Sequence, residues 1–382
     1  MVGAGISGLG AAYALARAGV DVCLLEARDE VGGVIRSERV DGYLIEHGPN
    51  SVLNTSCEVE RILGELGLVS ERVFAAPVAR KRFIVRDGRS LPLPTSPWAF
   101  VTTPLWSARA KWRLLAEPFA RRPPPEREET VMEFVARRLG HEIAEYAVDP
   151  FVSGVYAGDP NALSMQSTFP LLYALERDHG GLVRGALARL VRPKPSRPAQ
   201  RGIYSFRTGM GALPRALGTF LGERVWLGTS VVGLTRTAAG FCLDIERGDE
   251  RFTIDTERVV VATPADRAAA LVRLLNPALA EDLAGIAYAP VAMVFAAFAR
   301  AAVAHSLDGF GCLVPSLERR RLLGSLWSSS LFPGRAPAGM VAFTNYLGGA
   351  KDPEVVGQTD DDLARFALDE LSRLFEIGRA HV

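Results

Sequence analysis

The feature that most constrains the fold of this chain is a glycine-rich segment at its start, Gly-Ala-Gly-Ile-Ser-Gly-Leu at residues 3–9. Its glycine spacing is typical of the turn that joins a first strand to a helix in dinucleotide-binding folds. In that turn Gly3 permits the bend, Gly5 lets the backbone approach a pyrophosphate, and Gly8 lets the helix pack closely on the sheet. The alanine-rich residues 9–18 predict the helix, whose N-terminus would face the phosphates.

An acidic residue follows at the place where such folds bind the adenosine ribose. Residues 20–26 predict a second strand, and Glu26 at its end is placed to accept hydrogen bonds from the ribose hydroxyls. A glycine pattern alone is weak evidence, because ordinary glycine-rich turns share it. Because a helix, a strand and a terminal acid follow in the expected order, a dinucleotide-binding loop is a better interpretation than an ordinary turn.

Length and composition limit the kinds of protein that the chain can be. With 382 residues, 48% of them hydrophobic, it is expected to form more than one domain, because single cores stop growing near about 250–300 residues. The formal net charge of +1 provides no basic field for nucleic acid. The four cysteines are far apart and form no Cys-x-x-Cys pair, which argues against a metal site or disulfide framework and fits a reducing, cytoplasmic compartment.

The most apolar run, residues 286–299, does not predict a membrane span. It contains Pro290 and is shorter than the about 18–20 residues that a spanning helix needs. A run rich in Val, Met and Phe predicts a buried strand instead. We therefore expect a cytoplasmic protein that is soluble or peripheral on a membrane.

Both ends of the sequence are expected to be cut. Only Met1 and Val2 precede Gly3, whereas the first strand of this fold needs about five residues. Residues 376–382, Glu-Ile-Gly-Arg-Ala-His-Val, correspond to a translated sequencing adapter, so we expect a non-native tail there. An ordinary disordered tail is the alternative.

Between these ends the sequence pattern changes twice. Residues 1–90 alternate short strands and helices, and residues 91–200 are mostly helical. Proline-rich joints interrupt the helical zone at residues 122–126 and 192–198. Strands dominate from residue 201 and are predicted at 225–234, 240–246, 258–262, 291–298 and 340–346.

A second pair of glycines favours FAD over NAD as the cofactor. Gly32 and Gly33 would bring further backbone amides to the same pyrophosphate, and another glycine turn, at residues 46–51, follows a short strand. This order of glycine loop, acid, Gly-Gly and glycine turn resembles the flavin amine oxidase superfamily. The resemblance implies FAD as the cofactor.

The middle of the chain resembles one family of that superfamily more closely. Residues 151–176, which include Gly-Val-Tyr-Ala-Gly-Asp-Pro, resemble the protoporphyrinogen oxidase family, FAD enzymes of haem biosynthesis. The resemblance continues at residues 208–217, 259–265, 286–295, 308–315, 322–337 and 345–354. It implies oxidation of protoporphyrinogen IX to protoporphyrin IX, with oxygen as the electron acceptor. Oxidation of coproporphyrinogen III and an inactive flavin-binding fragment are the alternatives.

The same resemblance implies which residues contact FAD. Val231 would hold the adenine through its backbone, although core packing would explain this residue equally well. The implied cofactor residues are Gly3, Ala4, Gly5, Ile6, Ser7, Gly8, Glu26, Gly33, Val34, Gly48, Pro49, Asn50, Ser51 and Val231. The family's last flavin motif lies beyond residue 382, which leaves open whether these residues are active on their own.

For the substrate, the resemblance implies an apolar pocket with a cation at one end. Arg82 corresponds to the family's propionate-binding arginine, whose forked donors match a carboxylate, while a solvated basic cluster is the alternative. The implied macrocycle contacts are Gly154, Gly311, Leu313, Leu326 and Tyr346, each of which would otherwise be a turn or strand core. No catalytic side chain is expected, because the pyrrole nitrogens of the substrate supply the electron pair. His47 is the one histidine whose catalytic role is worth testing.

These assignments predict an α/β chain, α+β overall, with a Rossmann-type FAD-binding domain. That domain would be discontinuous, with residues 1–90 and 201–275. A helical, membrane-associated insertion would cover residues 91–200, and an incomplete mixed-sheet substrate domain residues 276–375. The aromatic and basic residues of 102–122 suit an interfacial helix, with a plain surface helix as the alternative. Beyond the porphyrinogen, oxygen and a membrane surface, a second copy of the chain in a homodimer is a further expected partner.

Overall fold

The structure is a computed structural model that describes residues 1–120, 127–190 and 201–378. Both predicted proline-rich joints and the last four residues of the predicted tail lie outside the described residues. The described part mixes helices and strands, as the α+β prediction requires, and this fold class is confirmed.

The described residues form the following helices and strands. The helices are α1 Ile6–Arg17, α2 Cys57–Glu65, α3 Pro97–Thr102, α4 Ala108–Leu115, α5 Val131–Leu139, α6 His141–Ile143, α7 Asp149–Tyr156, α8 Met165–Thr168, α9 Pro170–His179, α10 Leu182–Leu190, α11 Ala212–Leu221, α12 Ala265–Val272, α13 Pro277–Ala284, α14 Ser328–Leu331 and α15 Asp360–Phe375. The strands are β1 Leu24–Leu25, β2 Ser37–Val40, β3 Tyr43–Glu46, β4 Val52–Leu53, β5 Arg72–Phe74, β6 Phe83–Arg86, β7 Arg89–Pro92, β8 Ile203–Phe206, β9 Val225–Trp226, β10 Thr229–Thr237, β11 Gly240–Arg247, β12 Glu250–Thr256, β13 Val291–Ala299, β14 Gly311–Leu313, β15 Leu322–Leu326 and β16 Met340–Gly348.

The described residues form two compact units. The first consists of residues 1–75 and 201–288, and the second of residues 76–190 and 289–378. The first division of the chain falls after residue 75 rather than after residue 90, because β6 pairs in parallel with β14 of the second unit. The function predicted for each segment remains a prediction.

The first unit begins with a short parallel ladder. Val2 pairs with Leu25 on one side and with Val261 on the other, and β1 pairs in parallel with β9. Helix α1 packs on this ladder and on α11, with Leu9 and Leu217 in a common core. A strand followed by a helix that returns to a parallel neighbour is the Rossmann-type arrangement that the glycine motif predicts.

Several predicted elements of the first unit differ in extent. The predicted strand 20–26 is reduced to β1, and the predicted strand 258–262 to a single bridge at Val261. Both are short because the ladder partners beside them, Met1 to Gly3 and β9, extend over only two or three residues. The predicted strand 225–234 is divided into β9 and β10 by a turn at Gly228, which has φ +60°.

The second unit is organised around a six-stranded mixed sheet of order β13-β16-β15-β14-β6-β7. Its pairing is antiparallel except between β14 and β6. One face packs on α15, where Phe343 and Phe375 are fully buried in the same core. The other face carries Ile84, which joins the core of the helical segment with Val152 of α7. We call this second side the α7 face of the sheet.

Two predictions, one about the helical segment and one about the apolar run 286–299, need correction. The predicted helix over residues 102–122 is α4 followed by a short 3₁₀ turn at Glu117–Phe119, because Pro104 and Pro118 cannot continue a helix. The apolar run 286–299 forms β13, which is mostly half-buried rather than buried because it is an edge strand. Within the described residues, we find no helix of the length and apolarity that a membrane crossing requires.

Candidate functional site

A cavity of about 870 Å³ lies in the first unit beside the N-terminus of α1. Eight of the predicted cofactor residues line it: Gly3, Gly5, Ile6, Ser7, Glu26, Gly33, Val34 and Val231. Ala4 and Gly8, from the same loop, are buried behind its wall. The structure therefore brings together two glycine segments, the acid and a strand residue from three separate parts of the sequence.

The three glycines of the first loop have different surroundings. A Cβ at Gly3, which has φ +97°, would lie 2.9 Å from the carbonyl oxygen of Ala262. A Cβ at Gly8 would overlap the carbonyl oxygen of Gly3, so α1 approaches the loop this closely only with glycine. A Cβ at Gly5 would meet no protein atom within 4 Å. Gly3 and Gly8 thus permit packing, whereas Gly5 leaves open space on the cavity side.

The second glycine turn lies directly against the first loop. The amide of Gly32 donates to the carbonyl oxygen of Ala4 at 2.8 Å. A Cβ at Gly33, which has φ +59°, would lie 3.2 Å from the Cα of Gly5. The two glycine segments that the sequence analysis assigned to one pyrophosphate are therefore adjacent.

Glu26 is buried, and its carboxylate is held by the backbone. One oxygen accepts from the amide of Ala4 at 2.6 Å and the other from the amide of Arg28 at 3.0 Å. The Arg28 guanidinium in turn donates to the Gly33 carbonyl at 3.0 Å. Glu26 thus organises the loop and lines the cavity, while its bond to a ribose remains a prediction. Arg28 was missed, although its position two residues after the acid was a usable signal.

The predicted turn at residues 48–51 lies outside the cavity lining. Gly48 packs so closely on the carbonyl of Val34 that a Cβ there would overlap it. The Asn50 amide donates to the Gly48 carbonyl at 3.4 Å and stabilises the turn. This turn therefore supports Val34 from behind, and cofactor contact by Gly48, Pro49, Asn50 and Ser51 remains a prediction.

The cavity lining also contains residues that the sequence analysis missed, which are Thr263, Arg267, Tyr288, Thr229 and Ser230. The amide of Ala265, at the start of α12, donates to the Tyr288 hydroxyl at 3.0 Å. The motif Val-Val-Val-Ala-Thr-Pro-Ala at residues 259–265 was visible in the sequence, but only the parallel pairing at Val2 places it beside the glycine loop.

These residues fit the pyrophosphate of a dinucleotide. The first bond within α1 runs from the Leu9 amide to the Gly5 carbonyl at 2.9 Å, so the amides of Ile6, Ser7 and Gly8 have no partner in the helix. The first turn of α1 has no acidic side chain. Unpaired amides and the positive end of the helix dipole stabilise phosphate oxygens, and the space at Gly5 would admit them.

In the second unit, the predicted macrocycle residues share the α7 face. The strand register places Leu313 opposite Gly324, Gly324 opposite Tyr346, and Leu326 opposite both Gly311 and Thr344. Residues opposite one another across strands point to the same side of a sheet. Leu313, Leu326 and Tyr346 are half-buried, whereas most of their strand neighbours are buried. The structure therefore gathers Gly311, Leu313, Leu326 and Tyr346 on one accessible apolar surface.

Arg82 and Gly154 border this surface. The parallel pairing of Phe83 with Cys312 places Arg82, one residue earlier, beside Gly311. Its guanidinium lies over the Phe310 ring, 5.3 Å from the centroid, and has no carboxylate partner among the described residues. Gly154 of α7 faces Leu313, and a Cβ there would lie 2.5 Å from the Leu313 Cδ2.

Two other polar groups, the His47 imidazole and the Cys312 thiol, lie outside both surfaces. His47 Nε2 lies 2.9 Å from Glu38 Oε2 at the surface of the first unit, which is a structural pairing. Burial raises the pKa of the Cys312 thiol to about 12, so this thiol stays protonated on the side of the sheet opposite the α7 face. No group of three or more metal-ligating side chains occurs in the described part of the chain.

The chain belongs to the family of flavin containing amine oxidoreductases, whose sequence model matches residues 6–381. It is an FAD-dependent oxidoreductase, and the predicted cofactor and enzyme class are confirmed. Protoporphyrinogen oxidase 1, chloroplastic, of Spinacia oleracea is 36% identical over 396 residues, which cover 98% of this chain and 70% of that protein. The predicted resemblance to the protoporphyrinogen oxidases is likewise confirmed.

Two further relatives define the breadth of the resemblance. Coproporphyrinogen III oxidase of Bacillus subtilis is 29% identical over 396 residues, which cover 99% of this chain and 83% of that protein. A solved structure from Exiguobacterium sp. 255-15, provisionally named a protoporphyrinogen oxidase, has a TM-score of 0.81 at 23% identity and covers 99% and 83% of the two chains. At this identity the solved structure supports the fold alone.

Proposed function

We propose that this chain oxidises protoporphyrinogen IX to protoporphyrin IX, with oxygen as the electron acceptor. The observation that carries the proposal is the accessible apolar surface of Leu313, Leu326 and Tyr346, bordered by the unpaired cation Arg82. A porphyrinogen is a large apolar macrocycle with carboxylate side chains, and an apolar pocket with a cation at its edge suits that chemistry. The names of the relatives agree with this substrate class.

In this proposal the two units have separate roles. Residues 3–8 and Gly33 hold the pyrophosphate of FAD through backbone amides, and Glu26 and Val231 position the adenosine half. When bound, FAD supplies the hydride acceptor. The α7 face orients the macrocycle, and Arg82 binds a propionate through its forked donors. The pyrrole nitrogens of the substrate supply the electron pair, so the chain's task is orientation and exclusion of competing reactions.

Oxidation of coproporphyrinogen III is the second candidate, and the Bacillus subtilis relative favours it. That substrate has more carboxylates and would need further unpaired cations. Of the basic residues near Arg82, Lys81 pairs with Asp308 and Arg86 with Glu142, whereas the exposed Arg80 has no carboxylate partner among the described residues. Two of these three neighbouring cations are therefore already paired, which supports the substrate with fewer carboxylates.

The test is the appearance of porphyrin fluorescence from each porphyrinogen, with the flavin-loaded protein. Faster conversion of protoporphyrinogen supports the proposal, and faster conversion of coproporphyrinogen supports the second candidate. A chain that binds flavin and converts neither is the inactive flavin-binding alternative. Hydrogen peroxide formed in step with porphyrin would support oxygen as the acceptor.

We also propose that α3 and α4 contact a membrane surface. Trp98, Trp112, Leu115 and Phe119 expose 75%, 73%, 66% and 83% of their surface, which suits insertion of aromatic and aliphatic groups at a lipid interface. The ammonium of Lys111 donates to two backbone carbonyls at 2.7 Å, so it stabilises the end of α3. Its contribution to lipid binding is correspondingly reduced.

Liposome co-sedimentation tests the membrane proposal, with and without phosphatidylserine. We expect the protein to pellet with vesicles and Trp112→Ala with Phe119→Ala to reduce the bound fraction without changing the thermal midpoint. Failure of the unsubstituted protein to pellet would refute it. The homodimer remains a proposal, which light scattering would test.

A further inference from the structure

Helix α7 is fixed at Asp149 by a buried carboxylate. Asp149 is the first residue of α7, which continues the helical turns of residues 141–148 without a break, and it is 3% exposed. Its carboxylate accepts hydrogen bonds from the Ser316 amide at 2.7 Å, the Ser316 hydroxyl at 3.0 Å and the Lys351 ammonium. The Lys351 ammonium also donates to the Ser316 hydroxyl at 2.8 Å. These groups form a closed polar triad of three residues that are far apart in the sequence.

The C-terminal end of α7 is fixed by the same segment that contains Lys351. Ala157 ends the helix in the left-handed conformation, with φ +52°, and its carbonyl accepts from the Ala350 amide at 2.7 Å. A Cβ at Gly349, which has φ +78°, would lie 2.9 Å from that carbonyl oxygen. Residues 349–351, directly after β16, therefore hold α7 both at Asp149 and at its C-terminal end.

The charge in this triad requires complete pairing. A carboxylate removed from water is destabilised unless it is hydrogen-bonded and paired with a cation. Both oxygens of Asp149 are engaged, and the side chain of Lys351 is 26% exposed. Asp159, whose carboxylate lies 3.9 Å from the Lys351 ammonium, is the other acidic group beside it. Lys351 is therefore the cation on which the buried end of α7 depends.

The helix that is held in this way borders the surface proposed to bind substrate. α7 packs on β14 and β15, and the absent side chain of Gly154 allows close approach to Leu313. A Cβ at Gly154 would lie 3.4 Å from the Leu323 carbonyl oxygen as well. Because this contact has no spare room, a displacement of α7 changes the space beside Leu313 directly.

We propose that Asp149, Ser316 and Lys351 form a positioning clamp that sets the separation between α7 and the apolar surface of the sheet. Lys351 is then a positioning residue for substrate binding, which acts through α7 and Gly154. This inference rests on the proposed function of that surface. It predicts that loss of the ammonium loosens α7 and weakens substrate binding more than it slows the oxidation step.

The experiment compares three variants of the flavin-loaded protein: Lys351→Met, Lys351→Arg and Arg320→Met. Arg320 is the matched control, because it forms another half-buried ion pair of the second unit, 2.6 Å from Glu370 of α15. We expect Lys351→Met to raise KM for the porphyrinogen about tenfold with a smaller change in kcat, since misplacement of a positioning element costs binding. Hydrogen exchange of the α7 amides should accelerate, flavin content should not change, and Lys351→Arg should restore most of the binding.

A purely structural role predicts a different pattern. If Lys351→Met lowers the thermal midpoint as Arg320→Met does but leaves KM at the value of the control, the clamp is overturned as a positioning device. Unchanged exchange of the α7 amides would overturn it too. If the unsubstituted protein forms no porphyrin, the proposed function fails and the positioning role fails with it. If the unsubstituted protein is active and only the variants behave as the structural role predicts, the positioning role alone fails.

Discussion

The cofactor cavity of the first unit and the α7 face of the second unit would bind their proposed ligands by opposite means. The cavity wall beside α1 is made of backbone from two glycine segments, residues 3–8 and 32–33, and all five of their glycines are required because a side chain would meet other atoms or the cavity space. The α7 face is made of side chains from strands β14, β15 and β16, and its composition depends on register. The cavity wall depends on the absence of side chains at its glycines, whereas the α7 face depends on strand register, which places side chains of neighbouring strands side by side. Substitutions should therefore act on the two surfaces differently.

The largest effect is expected where a side chain is added to the cavity wall. Gly5→Val should abolish flavin absorbance of the purified protein, because an added Cβ meets no protein atom within 4 Å and the new side chain would occupy the open space at the pyrophosphate. The thermal midpoint of the flavin-free protein should change little. Gly10→Ala is the control, since a Cβ at this helical position also meets no atom within 4 Å. A fully flavinated Gly5→Val protein would contradict the assignment of this loop.

The second prediction concerns register on the α7 face. Gly311→Ala should destabilise the second unit by about 2–4 kcal/mol, because φ is +146° and the added Cβ would overlap the Ser325 carbonyl oxygen across the strand pair. Urea unfolding followed by tryptophan fluorescence measures this. Gly357→Ala in the same unit, where a Cβ has no neighbour within 4 Å, should be close to neutral. Equal midpoints for the two variants would show that β14 tolerates a side chain there.

The third prediction tests the cation at the edge of the α7 face. Arg82→Ala should raise KM for the porphyrinogen about tenfold and leave kcat nearly unchanged, since a charge-assisted hydrogen bond contributes about 1.5–3 kcal/mol to binding and exposure reduces that value. Arg80→Ala, a neighbouring exposed arginine, should leave KM unchanged. An unaltered KM for Arg82→Ala would return Arg82 to the role of a solvated surface residue.

The smallest effect is expected from pH, through a histidine of the second unit. The ring of His305 contacts the rings of Trp327 and Phe375, with centroids 4.8 Å and 5.4 Å away, and burial lowers its pKa below the ordinary value. The unfolded chain therefore binds a proton more readily than the folded one, so stability is full above about pH 6.5 and declines as pH falls below it. The urea midpoint should be lower at pH 5.5 than at pH 7.5, which are about one unit below and above the ordinary pKa of histidine. His305→Phe should reduce that drop; an equal drop in both proteins would exclude His305 as its source.

Features that depend on short-range interactions were predictable from the sequence. The signals for helix α15 are local, because Thr359 caps it through the Asp362 amide and acidic residues occupy its first turn. The cofactor loop was predictable for the same reason, since its glycine requirements arise within a few residues. Thr263 and Tyr288 were missed because their places in the cavity depend on pairing between distant segments, whereas Arg28 had a local signal two residues after the acid.

The sequence by itself determined a dinucleotide loop, its acid, its second glycine turn and, through resemblance, FAD and a porphyrinogen substrate. Only the tertiary structure decided that β6 joins the sheet of the second unit, that Leu313, Leu326 and Tyr346 share one accessible face, and that Lys351 holds α7. Local backbone conformation follows from residue type and spacing. Strand register and a buried triad from three distant segments follow from the packing of the whole unit, because a shift of one residue would reverse every side chain of a strand.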